Sequence, residues 1–185
     1  MNPDWKEKAK KINKRTIEVT IYDYDGQRMI VEGSLRDDRF QEIRLVTGEV
    51  TPPGVIHHMT IRLLVNLASL VIEDVDVEMI AFPRAVCRET VNCLEPIKGS
   101  SVRKGFTAKV KKLAGDGNGC THLVELLLAM APVIFQGFAA QQAKTITAAD
   151  SEKAGMMFHF LLNTCYAWRE DGPFAEMFRQ KFNLK

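Results

Sequence analysis

The chain has 185 residues, of which 46% are hydrophobic and 26% charged, a balance that suits a substantial buried core and excludes disordered and fibrous classes. Its formal net charge is only +2, so no global field marks it as a nucleic-acid binder. A single domain over residues 1–185 is expected, with 1–14 as a frayed arm at the start of a basic run, Lys6, Lys8, Lys10, Lys11, Lys14 and Arg15, that reads as solvated.

No apolar run follows that charged start, so no secretory signal is read and a cytoplasmic location is expected. The most apolar stretch, Leu126 to Phe135, is shorter than the roughly 20 residues that span a bilayer and has Glu125 at its edge. It predicts a buried helix and no membrane span. The four cysteines read as reduced thiols or metal ligands, not as a disulfide framework.

In chain order, Ile17, Val19 and Ile21 alternate with Glu18, Thr20 and Tyr22; Asp25-Gly26 supplies a turn, and Met29, Val31 and Gly33 return. That pattern predicts a β-hairpin. Asp37, Asp38 and Arg39 form a charged cluster that reads as a solvated turn. A weaker strand around Ile43 to Val46 is followed by the loop Thr51-Pro52-Pro53-Gly54. The clearest strand then puts His57, Met59, Ile61, Leu63, Val65 and Leu67 on an inward face and His58 on the other. Its antiparallel partner sets Val71, Val75, Val77 and Met79 against Asp74, Asp76 and Glu78.

After Phe82-Pro83 the period turns helical. Ser100 or Ser101 caps a helix with the stripe Val102, Phe106, Val110 and Leu113, stopped by Gly115. The turn from Gly115 to Gly119 leads into a long core helix from about Cys120 to Lys144. Thr147 or Asp150 opens a third helix with Phe158, Leu161, Leu162 and Cys165 on one buried face and His159 at the surface. Pro173 starts a last helix with Phe174, Met177, Phe178 and Phe182 inward. Strands followed by helices predict an α+β fold, its antiparallel sheet from the N-terminal half packed on one face by C-terminal helices.

The residues that carry chemistry lie at the junctions. In Gly119-Cys120-Thr121-His122-Leu123, a glycine-rich turn feeds a helix whose free N–H groups and dipole favour a thiolate at Cys120, and a thiolate is both a nucleophile and a metal ligand. His122 reaches the same region. His57, an inward imidazole, needs a polar partner. Cys87 and Cys93 lie beyond the second strand of the pair, without the Cys-x-x-Cys spacing of a zinc knuckle. His57 and Cys87 fall at one end of the sheet, and the turn before Cys120 can deliver Cys120 and His122 there. The expected site is therefore metal-binding: His57, Cys87, Cys120 and His122 offer two nitrogens and two thiolates, suited to tetrahedral zinc or an iron–sulfur cluster. Whether Cys93 or His58 joins them stays open. Two other readings also stand: Cys120 as an enzyme nucleophile or persulfide acceptor with His57 or His122 as base, and a non-catalytic binding or assembly protein with a protein partner. No phosphate-cradling, dinucleotide or zincin motif occurs.

The residues Asp25-Gly26, Asp38-Arg39, Pro53-Gly54 with His57, Ile72-Glu73-Asp74-Val75, Cys87 and Gly119-Cys120-Thr121-His122-Leu123 resemble an uncharacterised bacterial domain-of-unknown-function family over most of the chain. That resemblance implies no activity. More remotely, the stretch from about residue 55 to 140 resembles the U-type iron–sulfur cluster scaffolds (IscU/NifU-like). It implies a cluster site at His57, Cys87 and the pair Cys120 and His122. The chain departs from those scaffolds in having a histidine for the first cysteine, Cys-x-His for His-Cys, and an extra leading hairpin.

Overall fold

The alternating first half of the chain becomes six strands in the computed structural model of the protein, which describes residues 9–103, 105–144 and 151–184. They are β1 (Asn13–Asp23), β2 (Arg28–Arg39), β3 (Ile43–Arg44), β4 (Val50–Thr51), β5 (Gly54–Asn66) and β6 (Ile72–Ala81). Four of them form an antiparallel sheet in the order β1-β2-β5-β6, and β3 pairs with β4 in a separate ribbon between β2 and β5. The expected N-terminal arm lies outside the described residues over 1–8, and β1 already begins within it at Asn13. The expected helix start at Thr147 or Asp150 also lies outside them.

The β1–β2 hairpin turns where Asp25-Gly26 predicts. Gly26 takes φ +77°, and Asp23 Oδ1 accepts its N–H at 2.9 Å. The register then stacks Ile17, Leu35, Met59 and Met79 in one row across the sheet and Val19, Gly33, Ile61 and Val77 in the next. Leu35, Val31, Met59, Ile61 and Leu63 on this face are buried. The other face is polar, and on it Arg62 bonds Glu32 at 2.7 Å and Asp76 at 3.0 Å. A bulge pairs Leu64 with Asp74 but Val65 with Ile72. The extra residue makes Ile72, instead of the expected Val71, the buried one. Val77 is only half-buried.

Four α-helices follow: α1 (Phe106–Ala114), α2 (Thr121–Ala143), α3 (Ser151–Leu161) and α4 (Pro173–Phe182). The chain divides into two compact units, one running through Met130 and one from Ala131 onward. In the first unit α1 starts later than expected, at Gly105 with φ +94° and no side-chain cap. Neither serine is free to cap it: Ser101 bridges to Val71, and Ser100 Oγ accepts the Lys109 ammonium at 2.6 Å. Gly115 ends α1 as expected. By length and composition Thr121–Gln142 would pass for a membrane-crossing helix, and 44% of an 18-residue apolar stretch within it is buried in the protein. Leu123, Leu126, Leu127 and Met130 make the buried stripe of its first half, at i, i+3, i+4 and i+7. That stripe lies over β2, since a Cβ added at Gly33 would stand 2.6 Å from Met130 Sδ and 3.1 Å from Leu126 Cδ1.

In the second unit Phe158 stacks on Phe178 at 5.5 Å between ring centroids, and Trp168 meets both edge-on. Two expectations need correction there. Asn163 takes φ +61° just past α3 and donates its N–H to the Trp168 carbonyl, so the helix stops and Cys165 is exposed instead of packed. On α4 the buried position goes to Ala175, leaving Phe174 and Met177 exposed and Phe178 half-buried.

The close approach at Gly33 is testable. Gly33→Ala should cost about 1–3 kcal/mol of unfolding free energy in urea denaturation, towards the lower figure because the end of Met130 can swing aside. An unchanged midpoint would mean that α2 does not bear on β2.

Candidate metal centre

The inward face of the sheet does not end where its apolar residues do. Counting by two from Ile17, Leu35 and Met59 gives Arg15, Asp37 and His57, and the register places these three side by side on β1, β2 and β5. The apolar face thus closes in a polar row. Asp37 is its centre: Oδ1 accepts Arg15 Nε at 2.7 Å, Oδ2 accepts Arg15 Nη2 at 2.8 Å, and Oδ2 lies 2.9 Å from His57 Nδ1. The side chains of Asp37 and His57 are only 13% and 15% exposed. The Arg15 guanidinium first, and the His57 contact after it, hold the Asp37 carboxyl below the usual carboxylate range against the opposing effect of burial.

The start of α2 supplies the rest. The Cys120 carbonyl accepts the Val124 N–H at 3.0 Å, which makes Cys120 the N-cap and puts His122 in the first turn. His122 stacks on His57, with ring centroids 3.7 Å apart and planes 29° from parallel. Its two nitrogens face different groups: Nε2 is 3.7 Å from Asp37 Oδ2, and Nδ1 is 3.9 Å from Cys120 Sγ. Burial, reinforced by His57 and Arg15, pushes the His122 imidazole below its ordinary range, so the fold favours its neutral form. One turn on, Glu125 pairs with Arg15, whose guanidinium therefore bridges two carboxylates.

Of the four residues expected to form the site, the fold brings His57 and His122 face to face and sets Cys120 beside His122. Among the described residues, the potential ligand atoms that lie within 4.8 Å of one another belong to Asp37, His57 and His122. Neither Cys87 nor Cys120 is in that group. Cys87 sits in a 3-10 helix, Ala85–Thr90, with its N–H on the Arg84 carbonyl and its own carbonyl accepting the Thr90 hydroxyl. His58, opposite Arg36, faces away from the group. Asp37 lies in β2 instead of the expected solvated turn, and Arg15 in β1 instead of a basic arm. The signal for both was the period of two, carried past the last apolar residue of each strand.

A carboxylate and two imidazoles are donors for a divalent cation. Beside a thiol they are also the elements of a base-assisted nucleophile. The chain belongs to the DUF2889 family, described as protein of unknown function, whose pattern matches residues 13–136. That span contains the whole polar row and the start of α2. No curated protein and no solved structure matches the chain, so the resemblance to iron–sulfur scaffolds gains no support.

Both lowered pKa values make stability fall with acid, in different windows. The Asp37 contribution is present above its unfolded value of about 3.9 and is lost as pH falls through its lower folded value. His122 withdraws stability as pH falls below its unfolded value of about 6.5, because the unfolded chain takes up the proton first. From about pH 7 to about pH 5 only the second of these acts. In chelator-treated buffer His122→Asn should flatten the decline in urea midpoint over that range. Equal slopes for variant and parent would contradict the buried, neutral imidazole.

Proposed function

We propose that the protein binds a divalent metal ion, zinc in the first instance, through Asp37, His57 and His122. The observation that carries this reading is the mutual closeness of their ligand atoms. Two atoms each about 2.1 Å from a zinc ion at the tetrahedral angle stand roughly 3.4 Å apart. The separations of 2.9 Å from Asp37 to His57 and 3.7 Å from Asp37 to His122 bracket that value. Small ring rotations that unstack the imidazoles would bring both nitrogens to one ion. Arg15 can keep Oδ1 of Asp37 while Oδ2 turns to the metal.

Cys120 has a different part in this arrangement from the one its chemistry first suggests. It approaches His122 at Nδ1, whereas Asp37 is approached by Nε2. A histidine that gives Nε2 to a metal turns Nδ1–H outward, and a sulfur there orients the ring without ligating the ion. Three protein ligands leave a coordination position open, as in exchangeable or catalytic centres and unlike closed structural ones. The donors are nitrogen and oxygen, which favours zinc over an iron–sulfur cluster.

One specific observation favours a second reading. Cys120 Sγ, His122 and Asp37 Oδ2 form a line, with contacts of 3.9 Å and 3.7 Å. Sulfur, base and orienting carboxylate in that order are the parts of a nucleophilic cysteine site, although both contacts are longer than the roughly 2.6–3.2 Å of a working relay.

Calorimetric titration of tag-free, chelator-stripped protein with zinc tests the first reading. About one equivalent should bind; His57→Ala and His122→Ala should abolish stoichiometric binding, and Cys120→Ser should weaken it by roughly 10–100-fold without changing the stoichiometry. Equal zinc binding by the histidine variants would remove the reading. Fast alkylation of Cys120 that zinc does not slow would favour the nucleophile.

A further inference from the structure

Cys93 lies in the connection between β6 and α1, outside the ligand group, yet it packs on the junction that opens α2. A Cβ added at Gly119 would stand 2.8 Å from Cys93 Cβ and 2.9 Å from Cys93 Sγ, so only glycine lets the two segments touch. The Cys120 N–H points to the Cys93 sulfur. Both cysteines are half-buried, neither sealed from solvent nor free of its neighbours. Cys120 in turn rests against His122 and, at 4.0 Å, the Met59 sulfur. Two thiols from distant parts of the chain thus share one junction, where glycines at 117 and 119 give the backbone room to adjust.

We propose that Cys93 and Cys120 form a redox pair that hydrogen peroxide closes into a disulfide, withdrawing the Cys120 sulfur from His122. In the first step Cys120 sulfur attacks one peroxide oxygen. The O–O bond breaks, the other oxygen leaves with the thiol proton as water, and Cys120 becomes a sulfenic acid. In the second step Cys93 sulfur attacks the sulfenic sulfur. The S–O bond breaks, the hydroxyl takes the Cys93 proton and leaves as a second water, and the S–S bond forms. Two thiols lose two electrons and two protons, and the peroxide is reduced to two waters. Burial holds the Cys93 thiol up, which makes it the poorer nucleophile towards peroxide and leaves Cys120 as the sulfur oxidised first. The pair goes beyond the metal reading and does not require it. Where zinc does bind, closure removes the sulfur that orients His122, so the oxidised protein should hold zinc more weakly.

The test is peptide mapping of the full chain under non-reducing conditions after treatment with one equivalent of hydrogen peroxide. The expected main product is a Cys93–Cys120 cross-linked peptide that dithiothreitol reverses. Cys93→Ser should instead leave Cys120 as a dimedone-reactive sulfenic acid at one equivalent of peroxide and pass it on to sulfinic acid in excess peroxide. A disulfide from Cys120 to Cys87 or Cys165, or oxidised Cys120 with Cys93 still fully alkylatable, would overturn the proposal. Zinc titration of the reduced protein reads the metal site separately, so either can fail without the other.

Discussion

The site depends on the pairing of Arg15, Asp37 and His57 across three strands. Side chains alternate with a period of two, so a one-residue slip in β1, β2 or β5 would send one of the three to the opposite face. What prevents the slip is the apolar part of the same face: moving β2 by one residue would bring Leu35, Val31 and Met29 out of the core. The hydrophobic core therefore sets the position of the charged row, and the row adds little to the choice of fold. Its own energetics are local. Asp37 is mostly out of water, and a carboxylate there needs the donors that Arg15 and His57 provide.

α2 completes the site by keeping step with β2. Met130 stands over Gly33 and His122 over Asp37. Eight helical residues rise about 12 Å and four strand residues about 13 Å, so one packing contact fixes the other. The missing side chain at Gly33 lets the helix come down far enough for His122 to stack on His57. The Arg15–Glu125 pair is partly exposed on both sides and contributes modestly to that docking. At its N-terminal end, the end that carries His122, the helix is anchored where Gly119 meets Cys93, which brings Cys93 to the same junction as Cys120.

The sheet was legible because alternation survives in single strands, and Asp25-Gly26 marks its hairpin unambiguously. The site was legible only in part. His57 and Cys120-x-His122 stand out because an inward imidazole and a thiol at a helix start are locally unusual. Asp37 does not, since Asp37-Asp38-Arg39 has the composition of a turn and only the length of β2 shows that the strand continues through it. The stacking of His57 on His122 joins residues far apart in the chain, and no local pattern encodes it. Cys87 follows β6 closely enough to suggest the site, but chain position past a strand end does not fix where a thiol points. Cys165 leaves the core for a smaller reason: Asn163 adopts the left-handed conformation that ends a helix, although the apolar stripe in the sequence runs on through it.

The proposed cation position lies where Asp37, His57 and His122 converge. Crystals grown with zinc and measured across its absorption edge test this most directly. The expected result is an anomalous peak about 2.0–2.2 Å from one Asp37 oxygen and one nitrogen each of His57 and His122, with the Cys120 sulfur on the far side of the His122 ring and outside bonding distance. A peak held by Cys87 and Cys120, or none at the polar row while zinc binds elsewhere, would contradict it.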